Sequence, residues 1–147
     1  MKKKFTFIIT CVGGILSSEF LKRIKYNSKF DLKIIGVDNN KDANGKYFCD
    51  SFFKVPLGND KKYFLAIKGI IKKFNVDYVL PTSDEEALAL SDKEMEIKKL
   101  GCKLLCSSKK VLKIISNKIS AYEYLGRKNK YVPFYKKIKN FEQMRKD

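Results

Sequence analysis

Short apolar runs alternate with amphipathic stretches along almost the whole of this chain, and that alternation limits its fold more than any other feature. Residues 5–11 are largely aromatic or β-branched and carry no interior charge, which predicts a buried strand. Gly13 and Gly14 predict a turn, followed by a helix over 15–26. That helix would turn Ile15, Phe20, Leu21 and Ile24 inward, with Ser17 or Ser18 near its start. A second buried strand is expected over 32–37, ending at Asp38, and a third over 52–55, closed by Pro56. Residues 61–74 predict a helix with Phe64, Leu65, Ile67, Ile71 and Phe74 inward. A fourth strand over 77–80 stops at Pro81. Thr82, Ser83 and Asp84 can cap a helix over 85–100 that Gly101 ends. A fifth strand over 103–106 precedes a helix running from Lys109 towards Ser116.

Such an order implies an α/β fold of three layers, Rossmann-like, with a mainly parallel sheet of about five strands. Ligands in these sheets lie outside the carboxyl ends of the strands. The candidate positions are then 12–16, 38–40, Pro56, 81–86, Ser107 and Ser108. After Ser116 the pattern changes. A short helix over 117–126 leads to Val132 and Pro133, residues 134–139 alternate like a new strand, and Asn140 can cap a helix from Phe141. The chain reads as one domain followed by the beginning of a second.

Composition removes several chemistries. The 147 residues include no histidine, so neither a Ser-His-Asp triad nor a His-ligated zinc is possible. Cys11, Cys49, Cys102 and Cys106 form no C-x-x-C pair and read as free thiols in a reducing cytoplasm. A formal net charge of +16 favours anionic partners, but only three of the 32 cations are arginines and the lysines are dispersed. Specific nucleic-acid readers rely on arginine forks, so no specific nucleic acid is expected. Lys2–Lys4 and the apolar run behind them have the layout of a secretory signal, but Gly13 and Gly14 interrupt it. No run is long enough to span a membrane.

The turn at Gly13 and Gly14 would let a backbone approach a phosphate or carboxylate at a helix N-terminus, or serve only tight packing. Asp38 occupies the place of a ribose-holding acid, or makes a local Asx turn. Asp84, Glu85 and Glu86 gather carboxylates where a strand ends and a helix starts, which suits an amine ligand, a domain contact or the helix dipole.

Taken in order, residues 9–14, 35–38, 79–86, 101–108, Asn117-Lys118 and Val132-Pro133 resemble the N-terminal domain of ATP-grasp enzymes, in the carbamoyl-phosphate synthase large-subunit-like branch. The resemblance implies a pre-ATP-grasp domain over 1–115, then a linker helix and the start of an ATP-grasp domain over 116–147. It implies an ATP-dependent carboxylate–amine ligase using ATP and magnesium, with Lys118 touching ATP phosphate. Gly13, Gly14, Asp38, Glu85 and Glu86 would face the small carboxylate or amine substrate. No catalytic residue or metal ligand is expected within these residues. The magnesium carboxylates would lie in the missing ATP-grasp domain, so the 147 residues would be inactive alone; a homodimer is compatible. Asn117 stands where the family carries Asp, and Ile15 and Ser17 stand where its turn carries further glycines. A Rossmann-like nucleotide- or sugar-nucleotide-binding enzyme domain and a basic nucleic-acid module are the alternatives. The first lacks a tight glycine fingerprint; the second lacks clustered arginine.

Overall fold

A computed structural model describes residues 3–26, 29–128 and 130–138. Five parallel strands form one sheet in the order β3-β2-β1-β4-β5: β1 (Lys4–Ile9), β2 (Asp31–Asp38), β3 (Ser51–Lys54), β4 (Tyr78–Leu80) and β5 (Lys103–Leu104). The uncharged first run is central, as its lack of charge requires. Ile8 pairs with Ile35 on one side and Val79 on the other. The pleat sends successive residues to opposite faces. Ile8 and Ile35 enter one core with Tyr63, Ile67, Ile71, Leu90 and Ile97, while Ile9 and Ile34 enter another with Leu21, Val12 and Ala43.

Helices therefore cover both faces. On one lie α1 (Ile15–Lys25) and a 3-10 helix (Asn44–Phe48); on the other lie α2 (Tyr63–Phe74), α3 (Asp84–Ser91) and α4 (Glu94–Lys99). The chain divides into two compact units, residues 1–109 and 110–147. The sheet belongs to the first. α5 (Lys109–Ile115) ends and α6 (Lys118–Gly126) lies within the second. Among the described residues no helix is long and apolar enough to cross a membrane.

Several expectations need correction. Ile15 is 93% exposed, because the inward stripe of α1 runs through Ser17, Leu21 and Ile24. Neither Ser17 nor Ser18 caps α1; its N-cap is Gly14, without a side-chain bond. Leu65 is 65% exposed, and Tyr63 and Ile70 take the inward places instead. The single helix expected over 85–100 is two helices, broken at Asp92 and Lys93. Ser91 sits at the break with its hydroxyl donating to the Leu88 carbonyl at 2.8 Å, a back-bond that competes with continued helix. Residues 134–138 form no strand, since no neighbouring strand pairs with them and Phe134 is exposed. Lys139, Asn140 and Phe141 lie outside the described residues.

Candidate functional site

At the carboxyl ends of β1 to β4 the loops enclose an open cleft of about 280 Å³. It is lined by Cys11, Asp38, Asn39, Leu57, Gly58, Asn59, Ser83, Glu85 and Glu86. The cleft spans the point where strand order reverses between β1 and β4, the place where open α/β sheets hold ligands.

The first wall is the glycine turn. The carboxylate of Asp38 accepts from the Gly13 N–H at 2.8 Å and the Asn40 N–H at 2.9 Å. Asp38 thus makes the Asx turn and also clamps the glycine turn to β2. A Cβ at Gly13 would stand 3.1 Å from both the Asp38 carboxylate and the Ala43 methyl, and one at Gly14 3.2 Å from the Cys11 carbonyl. A side chain at either glycine would press on close neighbours. Cys11 adopts a left-handed φ of 50°, which turns the chain sharply out of β1.

The second wall is the start of α3. Ser83 is its N-cap and accepts from the Glu86 N–H at 3.4 Å, while the Ser83 hydroxyl donates back to Glu86 Oε2 at 2.9 Å. Thr10 binds the same oxygen of that carboxylate. Its hydroxyl accepts from the Thr82 N–H at 3.3 Å, which directs its proton to Glu86 Oε2 at 2.6 Å. Thr82 in turn donates to the Thr10 carbonyl and lies 3.0 Å from the Ser17 hydroxyl. β1, α1, β4 and α3 are stitched together here by hydroxyl side chains.

Glu86 is only 8% exposed. Burial holds its carboxyl above the usual range, against the hydrogen bonds from Thr10, Ser83 and Tyr63 that favour the charge; nearby Asp38 raises it further. Tyr63, from α2, is 1% exposed and its hydroxyl lies against Thr10 and Glu86. Burial, and then the Glu86 charge beside it, push the phenol upward. Sequence reasoning missed Thr10 and Tyr63. Both read as ordinary members of a strand and a helix, and only the 76-residue separation of Thr10 and Glu86 closing in space gives Thr10 a role.

Of the residues singled out from sequence, Asp38, Glu85 and Glu86 line the cleft, and Gly13 is bound to Asp38. Gly14 is not among the lining residues. Lys118 lies in the second unit as the first residue of α6, and is exposed. Asn117 caps that helix, accepting from the Ser120 N–H at 3.1 Å, which Asn does as well as Asp. Among the described residues no three His, Cys, Asp or Glu side chains meet as a metal site.

A five-stranded parallel sheet with a cleft at its switch point defines the class as Rossmann-like. The profile described as PylC-like, N-terminal domain, matches residues 8–105. The chain belongs to that family, the N-terminal domain of ATP-grasp enzymes. Solved structures share its fold. N5-carboxyaminoimidazole synthetase from Staphylococcus aureus, complexed with ADP, aligns over 99% of this chain and 35% of its own, with 16% identity and a TM-score of 0.68. The biotin carboxylase domain of a single-chain bacterial carboxylase aligns over 97% of this chain and 33% of its own, with 11% identity and a TM-score of 0.59. Glycinamide-RNase-transformylase T from Mycobacterium tuberculosis aligns over 84% and 35%, with 13% identity and a TM-score of 0.57. The chain spans about a third of the length of these structures. A comparison with curated protein sequences finds no match.

Proposed function

We propose that these residues are the N-terminal part of an ATP-dependent carboxylate–amine ligase of the ATP-grasp superfamily, in the carbamoyl-phosphate synthase large-subunit-like branch. Residues 1–115 are the pre-ATP-grasp domain, and 116–147 are the linker helix and the beginning of the ATP-binding domain. The observation that carries this reading is the cleft at the switch point, built from loops that the family profile covers. In the reaction a carboxylate is phosphorylated by ATP, and an amine displaces phosphate from the acylphosphate. The cleft receives the small-molecule substrate, with Asp38, Glu85 and Glu86 around it and Gly13 and Gly14 shaping the turn. The free thiols suit a cytoplasmic enzyme.

The cleft itself does not fit a triphosphate. Its lining residues include three carboxylates and no cation, so a polyanion would be repelled. The nucleotide is therefore assigned to the ATP-binding domain, towards which this chain offers Lys118. A flexible ammonium follows a phosphate as it moves. Magnesium, when bound, neutralises the phosphate charge, and its ligands belong to that same domain.

The test is Lys118→Ala in the longer protein. A charge-assisted contact of about 1.5–3 kcal/mol implies a loss of about tenfold to a hundredfold in ATP affinity. Lys109→Ala and Lys113→Ala serve as controls with unchanged affinity. Equal ATP affinity for the wild type and Lys118→Ala overturns the assignment.

A further inference from the structure

We propose that the edge of the sheet opposite the cleft, where the strands begin, is a surface for single-stranded nucleic acid, held by phosphate contacts and base stacking without reading sequence. This goes beyond the ligase reading and does not depend on it.

Topology gathers the lysines that the sequence disperses. All five strands are parallel, so their amino ends share one edge, and each helix that leads into a strand finishes there. Lys3 and Lys4 lead into β1, and Lys103 opens β5. The last turn of α1 carries Lys25, ahead of β2; that of α2 carries Lys72 and Lys73, ahead of β4; that of α4 carries Lys98 and Lys99, ahead of β5. The acids at the strand entries are Asp31, Asp50 and Asp77, with Glu94 beside Lys98 and Lys103. Two of these are engaged by backbone: Asp50 accepts from the Ile34 N–H and Asp77 from the Thr6 N–H, each at 2.7 Å. At the carboxyl ends acids balance the cations. There Lys41, Lys46, Lys54, Lys61 and Lys62 stand among Asp38, Asp42, Asp60 and the three acids in the first turn of α3. Helix dipoles favour lysine in a last turn, but a sheet has almost no dipole to explain Lys3, Lys4 and Lys103.

Aromatic rings on the same edge are the independent observation. The Phe5 ring meets Phe30 at 5.8 Å and Tyr78 at 5.6 Å between centroids, so the loop before β2, β1 and β4 contribute one row of rings. Phe30 and Tyr26, the C-cap of α1, are exposed. The Lys3 ammonium stands 5.0 Å over Phe5, and those of Lys33 and Lys73 stand 5.1 and 5.4 Å over Phe74. A ring positions an ammonium without cancelling its charge, as a carboxylate would.

The chemistry selects the partner. Lysine meets phosphate as a point charge and lacks the fork that reads a base edge, so binding is not sequence-specific. Exposed rings beside a basic row suit unstacked bases, which a single strand offers and a duplex hides. From β2 to β5 the row spans about 15 Å, which suits a chain of phosphates rather than one. A membrane surface would call for aliphatic anchors, but Val76, Val79 and Leu104 near this edge are buried.

The experiment is a fluorescence-anisotropy titration of this chain against a labelled single-stranded oligonucleotide of about ten nucleotides, at about 0.15 M salt, with nitrogen–proton NMR mapping. Binding should saturate, with shifts at the Lys4, Asp77 and Lys103 amides and none at Gly58 or Glu86. The triple variant Lys4→Gln, Lys72→Gln, Lys103→Gln should weaken binding about tenfold or more and reduce the salt slope by about two. Lys41→Gln, Lys54→Gln, Lys61→Gln removes the same charge from the carboxyl ends and should change neither, because distant charges are screened at this salt. Tyr26→Ala should weaken the oligonucleotide about fivefold or more and leave inorganic polyphosphate unchanged. Absence of saturable binding overturns the inference, as do shifts centred on the carboxyl ends. Equal losses in the two triple variants would reduce it to net charge and overturn it. Where the first triple variant does not fold, unchanged affinity in Tyr26→Ala does so. Phosphatidylserine vesicles that bind more tightly than the oligonucleotide would make this a membrane face instead. Each of these leaves the ligase reading standing, because that reading falls on the Lys118 measurement.

Discussion

Gly45 shows how one residue can hold the 3-10 helix against the turn after β1. A Cβ there would collide with the carbonyl of Val12, in the turn that leads from β1 to α1. The obstacle is backbone rather than a movable side-chain end, so the 3-10 helix must shift away from the turn. Gly45→Ala is expected to lose about 1–3 kcal/mol in chemical denaturation. A midpoint equal to the wild type's would show that the close approach is not real. The cysteines give a second residue-scale expectation. Burial pushes the Cys49 and Cys102 thiols up to about 11. At pH 8 both stay protonated in the native protein and should react with a thiol reagent much more slowly than in denaturant. Rapid native modification at either position, read by peptide mass, would contradict the burial.

Among the elements, α2 and α3 carry the clearest consequences. Gly69 lies on the exposed side of α2 with nothing within 4 Å of an added Cβ. Gly69→Ala removes backbone freedom from the unfolded chain and improves helix propensity, so it should stabilise by about 0.5–1 kcal/mol. Together with Gly45→Ala it forms a pair of opposite sign from the same chemical change. At the start of α3, the raised Glu86 carboxyl ties stability to pH. A folded-state value above the unfolded one means that the folded state binds the proton more tightly. Its stabilising share is complete below the unfolded value and is lost as pH rises through the folded one. Glu86→Gln cannot titrate. The Tm difference, wild type minus Glu86→Gln, should therefore shrink or reverse between acidic and neutral pH. A difference that grows with pH would mean that the native site prefers the carboxylate.

At the scale of the whole molecule, the acidic cleft sits in a strongly basic chain, and the reading assigns substrate and nucleotide to different units. The 147 residues alone should show no magnesium-dependent ATP turnover above a buffer blank. The proposed reading puts the magnesium ligands in the ATP-binding domain, and without them the phosphate charge developing in the transition state is not neutralised. Turnover in protein freed of contaminants would relocate the active site into this chain.

The sequence by itself determined the architecture. Uncharged β-branched runs favour buried strands, and strands alternating with amphipathic helices favour parallel pairing, so residues 5–11, 32–37 and 77–80 were legible as strands of one parallel sheet, with 5–11 central. Glycine and proline punctuation placed the loops at the carboxyl ends, and with them Asp38, Glu85 and Glu86. Periodicity did not say which apolar residues face inward at helix ends. Ile15 and Leu65 look like core residues, but the helix phase set by Leu21 and Ile67 turns them to solvent. Only the tertiary structure decided how the three acids differ. Asp38 is spent on backbone N–H groups, Glu85 is exposed, and Glu86 is buried against Thr10 and Tyr63. Those distinctions depend on side chains brought together across the sheet from positions up to 76 residues apart, and local sequence carries no record of such distances.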